Sequence, residues 1–100
     1  MATQNALFAL MAVSNVAGIE TRLGAIAPWL YLKVAEGQWF LIAPHATTTK
    51  EVSDRLGMTV GEPSVGIVLR VENYFGRTSA STWEWISAKQ GVDLGATAVV

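Results

Sequence analysis

The side chains that most often carry chemistry in proteins are few in this sequence, and they are far apart. Cysteine is absent and His45 is the only histidine. A zinc site would need His45 together with carboxylates from Glu51, Asp54 or Glu72, and these residues lack the short spacings of zinc-binding motifs. Serine and threonine are plentiful, but no Gly-x-Ser-x-Gly elbow, Walker loop or Gly-x-Gly-x-x-Gly sequence occurs. The sequence thus predicts no catalytic residue, no metal ligand and no cofactor, and an enzyme has no support in it.

Composition and charge narrow the class of protein. The 100 residues are 51% apolar, which is enough for one well-packed domain, and seven Lys and Arg nearly balance eight Asp and Glu. A chain so close to neutral offers no broad positive field for nucleic acid or for an anionic membrane. The longest apolar run, residues 6–13, is far shorter than the roughly 20 residues of a membrane-spanning helix, and no Lys or Arg precedes it as in a signal peptide. Together with the absence of cysteine, these features favour a cytoplasmic location.

The first predicted element is an apolar strand over residues 6–13, which has no polar alternation and therefore suits a strand covered on both faces. A short amphipathic helix follows, with Asn15 as its N-cap and Pro28 ending the pattern. The apolar side of this helix is formed by Ile19, Leu23 and Ile26.

The next segment predicts a β-hairpin. Two aromatic-rich runs, residues 29–35 and 38–44, flank the two-residue turn Glu36-Gly37. Such a turn fixes the register, and it is expected to pair Lys33 with Phe40 and Tyr31 with Ile42. The alternate side chains are uniformly apolar and should lie under the helices. The other face of the sheet is expected to stay open, with Trp29, Tyr31, Lys33, Phe40 and Ile42 on it.

A capping-box pattern predicts the second helix. Thr48 and Glu51 open this helix, which ends at Gly57 and has Val52 and Leu56 on its buried side.

A strand and a third helix complete the pattern. The strand, residues 65–75, is rich in β-branched residues. The helix, residues 81–90, begins with a second capping box formed by Ser81 and Glu84 and ends at Gly91.

The order of these elements is strand, helix, strand, strand, helix, strand, with an added helix. It predicts an α+β domain with the split βαβ arrangement of a ferredoxin-like sandwich, a four-stranded antiparallel sheet with two helices on one face. We expect a single ferredoxin-like domain over residues 1–91 and a C-terminal tail over residues 92–100. A helical N-terminus and another α+β arrangement of the same elements remain open.

The open face would be too apolar to remain in water. Its cover could be a second copy of the chain, a protein partner, a single-stranded nucleic acid stacked on the aromatic rings, or the chain's own tail and C-terminal helix. Trp83 and Trp85 point to different sides of that helix, so we expect Trp83 to pack on the domain and keep Trp85 as a candidate interface anchor. Arg70, Arg77 and Lys33 are candidates for a basic strip beside the aromatic rings.

Residues 49–58 resemble the first helix and turn of a helix-turn-helix DNA reader. A recognition helix should follow, but the continuation contains Pro63, Gly66 and several β-branched residues, which favour a strand. We therefore interpret this segment as a core-packing helix.

The order of elements across residues 6–90 resembles that of small ferredoxin-like proteins of bacterial defence, of the CRISPR-associated adaptation nuclease and GhoS antitoxin type. The nucleases typically carry a metal-binding Asp at the end of the first strand, where this chain has Val13-Ser14-Asn15. The resemblance therefore does not extend to metal-dependent cleavage. It implies a bacterial or phage protein that forms a homodimer through its sheet.

These observations predict a non-enzymatic interaction module that forms a homodimer, or binds a protein partner, through the aromatic open face. The expected interface residues are Trp29, Tyr31, Lys33, Phe40, Ile42 and Trp85. RNA or single-stranded DNA binding on the same face is the alternative, and a ferredoxin-like enzyme with an unrecognised site is the second alternative.

Overall fold

The computed structural model describes residues 4–94 of the chain. Within this range the protein is an α+β structure with a four-stranded antiparallel sheet and three helices. In chain order the elements are β1 (Ala6–Ser14), α1 (Val16–Gly24), β2 (Leu30–Ala35), β3 (Gln38–Ala43), α2 (Thr49–Arg55), β4 (Val65–Val71) and α3 (Ala80–Gln90). The strands lie side by side in the order β2-β3-β1-β4. The predicted α+β class and the predicted order of elements are confirmed.

β1 lies in the interior of the sheet, where it pairs with β3 on one side and with β4 on the other. Successive side chains of a strand point to opposite faces, so Phe8 and Leu10 enter one layer while Leu7 enters the other. All three side chains are at most 1% exposed. The predicted central position of this strand is confirmed, and its sequence requires a cover on both faces of the sheet.

Helices α1 and α2 cover one face, which we call the two-helix face. Their apolar side chains pack against those of β1 and β3 in one cluster. The buried members of this cluster are Ala6, Phe8, Leu10, Ile19, Leu23, Ile26, Trp39, Leu41, Ala43, Val52 and Leu56. They include all the residues predicted for the buried sides of the first two helices.

Helix α3 packs on the opposite face, which we call the α3 face. Ile86 lies there in a smaller cluster with Leu7, Ile42 and the buried Leu94. The end of α3 is tied to the start of β1, because the backbone N–H of Asn5 donates to the carbonyl of Gln90 at 2.9 Å. α3 is therefore held at the end of the sheet where β1 begins.

The hairpin forms at the predicted turn but with a different register. Gly37 has the positive φ of 75° that such a turn requires. A bulge between Lys33 and Ala35 shifts the pairing by one residue, so Lys33 lies opposite Trp39 and Tyr31 lies opposite Leu41. A one-residue shift moves every side chain beyond it to the other face. The predicted pairing of Lys33 with Phe40 and of Tyr31 with Ile42 is therefore wrong.

The first two helices begin where the sequence indicates. Asn15 is the N-cap of α1, but it has a left-handed φ of 57° and makes no capping hydrogen bond. Its side-chain amide instead donates to the Ser64 hydroxyl at 2.9 Å, which ties α1 to the start of β4. The capping box of α2 is present as predicted: the Glu51 backbone N–H donates to the Thr48 hydroxyl, and the Thr48 N–H donates to the Glu51 carboxylate.

The predicted boundaries before α3 are wrong at two places. The helix begins at Ala80 with Ser79 as its N-cap, so the capping box at Ser81 does not form. β4 ends at Val71, well before the predicted residue 75. The Tyr74 ring stacks on Trp83 of α3 with ring centroids 5.7 Å apart, which favours a loop that turns towards α3 over continued sheet pairing. The end of α3 at Gln90 agrees with the prediction, and residues 95–100 of the predicted tail lie outside the described residues.

The segment that resembles half of a DNA reader is a core-packing helix, as interpreted. Val52 and Leu56 are completely buried. The element that follows α2 is the strand β4, and no recognition helix intervenes within the described chain.

We expect Leu56→Ala to lower the free energy of unfolding by about 2 to 5 kcal/mol, because the truncation leaves a cavity under α2. Denaturant titration followed by circular dichroism measures the change. Val60→Ala is the matched control, since Val60 is fully exposed and its truncation removes no buried contact. Equal stability of the Leu56→Ala and Val60→Ala proteins would contradict the packing described for α2.

Candidate interaction surface

The residues predicted to share one open face are divided between the two faces of the sheet. Tyr31 and Lys33 lie on the two-helix face because of the bulge, and Trp29 packs against the two-helix cluster. Phe40 and Ile42 lie on the α3 face. The predicted single aromatic surface is therefore wrong, and the reason is the register of β2.

The group on the two-helix face is already engaged within the chain. The Arg55 guanidinium lies over the Trp29 ring, 4.3 Å from its centroid. The Lys33 ammonium pairs with Glu20 of α1 at 2.7 Å and with Glu36 at 3.1 Å. Hydrogen bonds to Glu20, and secondarily to Glu36, raise the pKa of Lys33 above its ordinary value. The Trp29 ring and the Lys33 ammonium therefore already have partners within the chain.

The group on the α3 face is largely covered by α3. Ile42 is completely buried, and Phe40 is partly buried against the same cluster. Trp83 is partly buried and packs on the domain as expected, and Trp85, also partly buried, packs against the same cluster. Trp85 thus has a packing role within the domain, and its predicted role as an interface anchor stays a prediction.

One half of the α3 face is left uncovered by residues 4–94. α3 covers the end of the sheet where β1 begins, and the other end carries apolar side chains that are between 44% and 51% exposed. We call this surface the open half-face, and its exposed members are Met11, Val65, Ile67 and Leu69. Exposed apolar side chains that adjoin one another in this way are unusual on a monomeric protein surface and are typical of interaction sites.

A depression in the sheet borders the open half-face on the side of β3. Its volume is about 190 Å³, and Ala9, Met11, Val34 and Phe40 lie around it. Val34 is 43% exposed and stands in the bulge of β2. The depression extends the apolar surface across the sheet from β4 towards β2, and it has the concave form that receives an apolar side chain.

The open half-face carries no charged side chain. Arg70, the charged residue of β4, lies on the opposite face over the Phe8 ring, and its guanidinium donates to the carbonyls of His45 and Thr47 at 3.0 and 3.2 Å. Lys33 and Arg70 belong to β2 and β4, the two outer strands. Arg77 lies in the loop between β4 and α3. The predicted basic strip of Arg70, Arg77 and Lys33 therefore does not form beside the aromatic rings, because Lys33 and Arg70 stand on opposite edges of the sheet.

The two outer strands differ in how their free edges are protected. β2 carries Lys33 and the bulge, which are two common devices against pairing with another chain. The charged residue of β4, Arg70, is held on the two-helix face by the carbonyls of His45 and Thr47, and the bulge in the β1–β4 pairing lies in β1. The backbone of β4 therefore runs regularly for seven residues along its outer edge, with Val65, Ile67 and Leu69 exposed along one side. The unprotected edge and the open half-face therefore belong to the same strand.

A polar pocket of about 300 Å³ near the start of β1 also contains titratable groups. The Nδ1–H of His45 donates to the carbonyl of Gln4 at 3.2 Å, and Arg70 pairs with Glu72 at 2.8 Å. The described residues around this pocket include no hydroxyl, amine or thiol nucleophile. The hydrogen bond of Nδ1 leaves the Nε2 of His45 as an acceptor, and the described lining of the pocket places no such nucleophile beside it.

Asp54 is likewise engaged in local contacts on α2. Its carboxylate accepts hydrogen bonds from the Thr59 hydroxyl and from Lys50, and these bonds lower its pKa below the ordinary value. Among residues 4–94 no group of three His, Asp or Glu side chains could hold a metal ion.

The alternation of Val65, Ile67 and Leu69 was the sequence signal for the open half-face. These residues recur at every second position of the predicted strand, so their side chains share one face of the sheet. Gly66, Val68 and Arg70, which alternate with them, lie on the other face. The pattern of the hairpin alone assigns the open face to Tyr31 and Lys33, and the bulge in β2 reverses that assignment.

We expect zinc and manganese titrations, followed by calorimetry, to give no stoichiometric binding, because His45 and Asp54 lie in separate networks. A one-to-one isotherm that disappears in His45→Ala or Asp54→Ala would contradict this expectation.

No helix in the described part of the chain is long and apolar enough to cross a membrane. Comparisons of the chain with protein-family models, with curated proteins and with solved structures found no match.

Proposed function

We propose that this protein is a non-enzymatic interaction module that forms a homodimer, or binds a protein partner, through the open half-face. The observation that carries this proposal is the set of exposed apolar side chains on β1 and β4, which no element of the described chain covers. Covering such a surface removes apolar area from water, and each Å² contributes about 25 cal/mol. Association is the usual way in which a folded domain covers a surface of this kind.

The arrangement of the domain supports a ferredoxin-like fold for this module. The chain runs β1-α1-β2-β3-α2-β4, and α1 and α2 pack on one face of a sheet ordered β2-β3-β1-β4. α3 is an addition on the other face. In this proposal the exposed part of the α3 face is the surface left for a partner.

A protein partner suits the open half-face better than a nucleic acid does. Single-strand binders combine a positive groove with stacking aromatic rings. Here Lys33 and Arg70 lie on the two-helix face, and the exposed members of the open half-face are aliphatic. A cytoplasmic setting agrees with the absence of cysteine.

The proposal predicts that Ile67→Glu weakens self-association by roughly 100-fold, because an unpaired carboxylate would have to be buried in the interface. The measurement is molar mass by light scattering across micromolar to millimolar protein. Tyr31→Glu is the matched control, since Tyr31 is similarly exposed but lies on the two-helix face of the far edge strand.

The expected result is a dimer for the wild-type and Tyr31→Glu proteins, and a single chain for Ile67→Glu. Circular dichroism would check that both variants keep the wild-type secondary structure. A wild-type protein that stays a single chain at every concentration would overturn self-association. Dissociation of the dimer by Tyr31→Glu but not by Ile67→Glu would show that the interface lies on the two-helix face.

A further inference from the structure

The outer edge of β4 is the longest stretch of unpaired strand backbone in the described chain. β4 has β1 as its one neighbour and spans seven residues, whereas the other outer strand spans six. Within residues 4–94, no backbone hydrogen bond other than those of the pairing with β1 reaches Val65–Val71. Another strand can satisfy the outward N–H and C=O groups of such an edge in regular succession.

We propose that a second copy of this chain pairs with this edge, with the two β4 strands antiparallel about a two-fold axis at Val68. The two four-stranded sheets then become one continuous sheet. This inference rests on the proposed function, because it names the occupant and the geometry of a contact along β4, the strand that carries three of the four exposed members of the open half-face.

The side chains of β4 are complementary to themselves in this register. On the α3 face Ile67 lies opposite Leu69 of the partner subunit, so exposed apolar side chains adjoin one another across the axis. On the two-helix face Arg70 lies opposite Gly66 of the partner subunit, which has no side chain. Two guanidinium groups therefore do not face each other, and all seven residues of the strand find a partner.

The uneven cover of the α3 face also favours a two-fold pair. In each copy α3 lies near the C-terminal end of β4, and the open half-face extends to the N-terminal end. Antiparallel pairing brings the covered end of one copy beside the uncovered end of the other. Phe75, which is fully exposed in the loop before α3, then lies at the end of β4 that approaches the partner subunit's open half-face.

The alternative edge does not offer these features. β2 has Lys33 near its centre, and the bulge at Val34 interrupts the regular succession of backbone groups. A pair formed through β2 would also leave the open side of β4 in water. The geometry thus favours β4 over β2 as the contact between copies.

Cysteine cross-linking tests the proposed register, since the chain has no cysteine of its own. Ile67→Cys and Leu69→Cys would be prepared separately, with a tag on one protein, then mixed and oxidised. Directly opposed residues of antiparallel strands have Cα atoms about 4.5 to 5.5 Å apart, within disulfide reach. Diagonal neighbours lie about 7 to 8 Å apart, and packed sheet faces about 10 Å apart, which are beyond that reach.

The expected major product is the mixed disulfide of Ile67→Cys with Leu69→Cys, with little product from either protein alone. Val34→Cys, placed at a similarly exposed position of β2, is the control and should give none. Strong self-cross-linking of Ile67→Cys or of Leu69→Cys would overturn the axis at Val68.

Two failures are distinguishable. If the wild-type protein has the mass of a dimer and Ile67→Glu dissociates it, but no β4 pair cross-links, edge pairing is wrong and the proposed function stands. If the wild-type protein has the mass of one chain at millimolar concentration, edge pairing and self-association fail together.

Discussion

The structure depends on one constraint, which is that β1 is apolar on both faces of the sheet. Phe8 and Leu10 require one layer of helices and Leu7 requires another, and each is buried to at least 99%. The chain meets the first requirement with α1 and α2 and the second with α3. α3 is anchored by Asn5 to the start of β1, so its cover does not extend to Met11 at the other end of the strand. The open half-face is the part of the apolar α3 face that α3 does not cover.

The bulge in β2 determines which side chains are available at the surface. By shifting the register between Lys33 and Ala35 it carries Lys33 to the two-helix face, where the Lys33 ammonium pairs with Glu20. Without the shift, Lys33 would lie on the same face as Phe40 and would add a charge beside the depression. The shift therefore keeps the Lys33 charge off the α3 face, where Gln38 is the polar residue that lies opposite Met11, while the same bulge and Lys33 protect the edge of β2. One local irregularity thus separates a protected edge at β2 from an unprotected one at β4.

The sequence was sufficient to predict those features of the fold that a local pattern of residues determines. The capping box of Thr48 with Glu51 and the Glu36-Gly37 turn depend on neighbouring residues, and both form as predicted. The register of β2 was not predictable, because no glycine, proline or other residue typical of a bulge marks Val34, and the contact that Lys33 makes on the two-helix face is with Glu20 of another element. Ser81 is not the cap of α3, because the helix begins at Ala80 and Ser79 takes the N-cap position; the sequence offers serine at both places. The interaction surface could be predicted as apolar, but its members depended on that register.

Hydrogen exchange of the β4 amides at low and high protein concentration tests the central claim most directly, because it reports on the edge and the open half-face of the wild-type chain together. The account predicts that amides of Val65–Val71 exchange more slowly as concentration rises, while those of the outer strand Leu30–Ala35 do not change. Exchange of the β4 amides that is independent of concentration, up to the millimolar range, would contradict it.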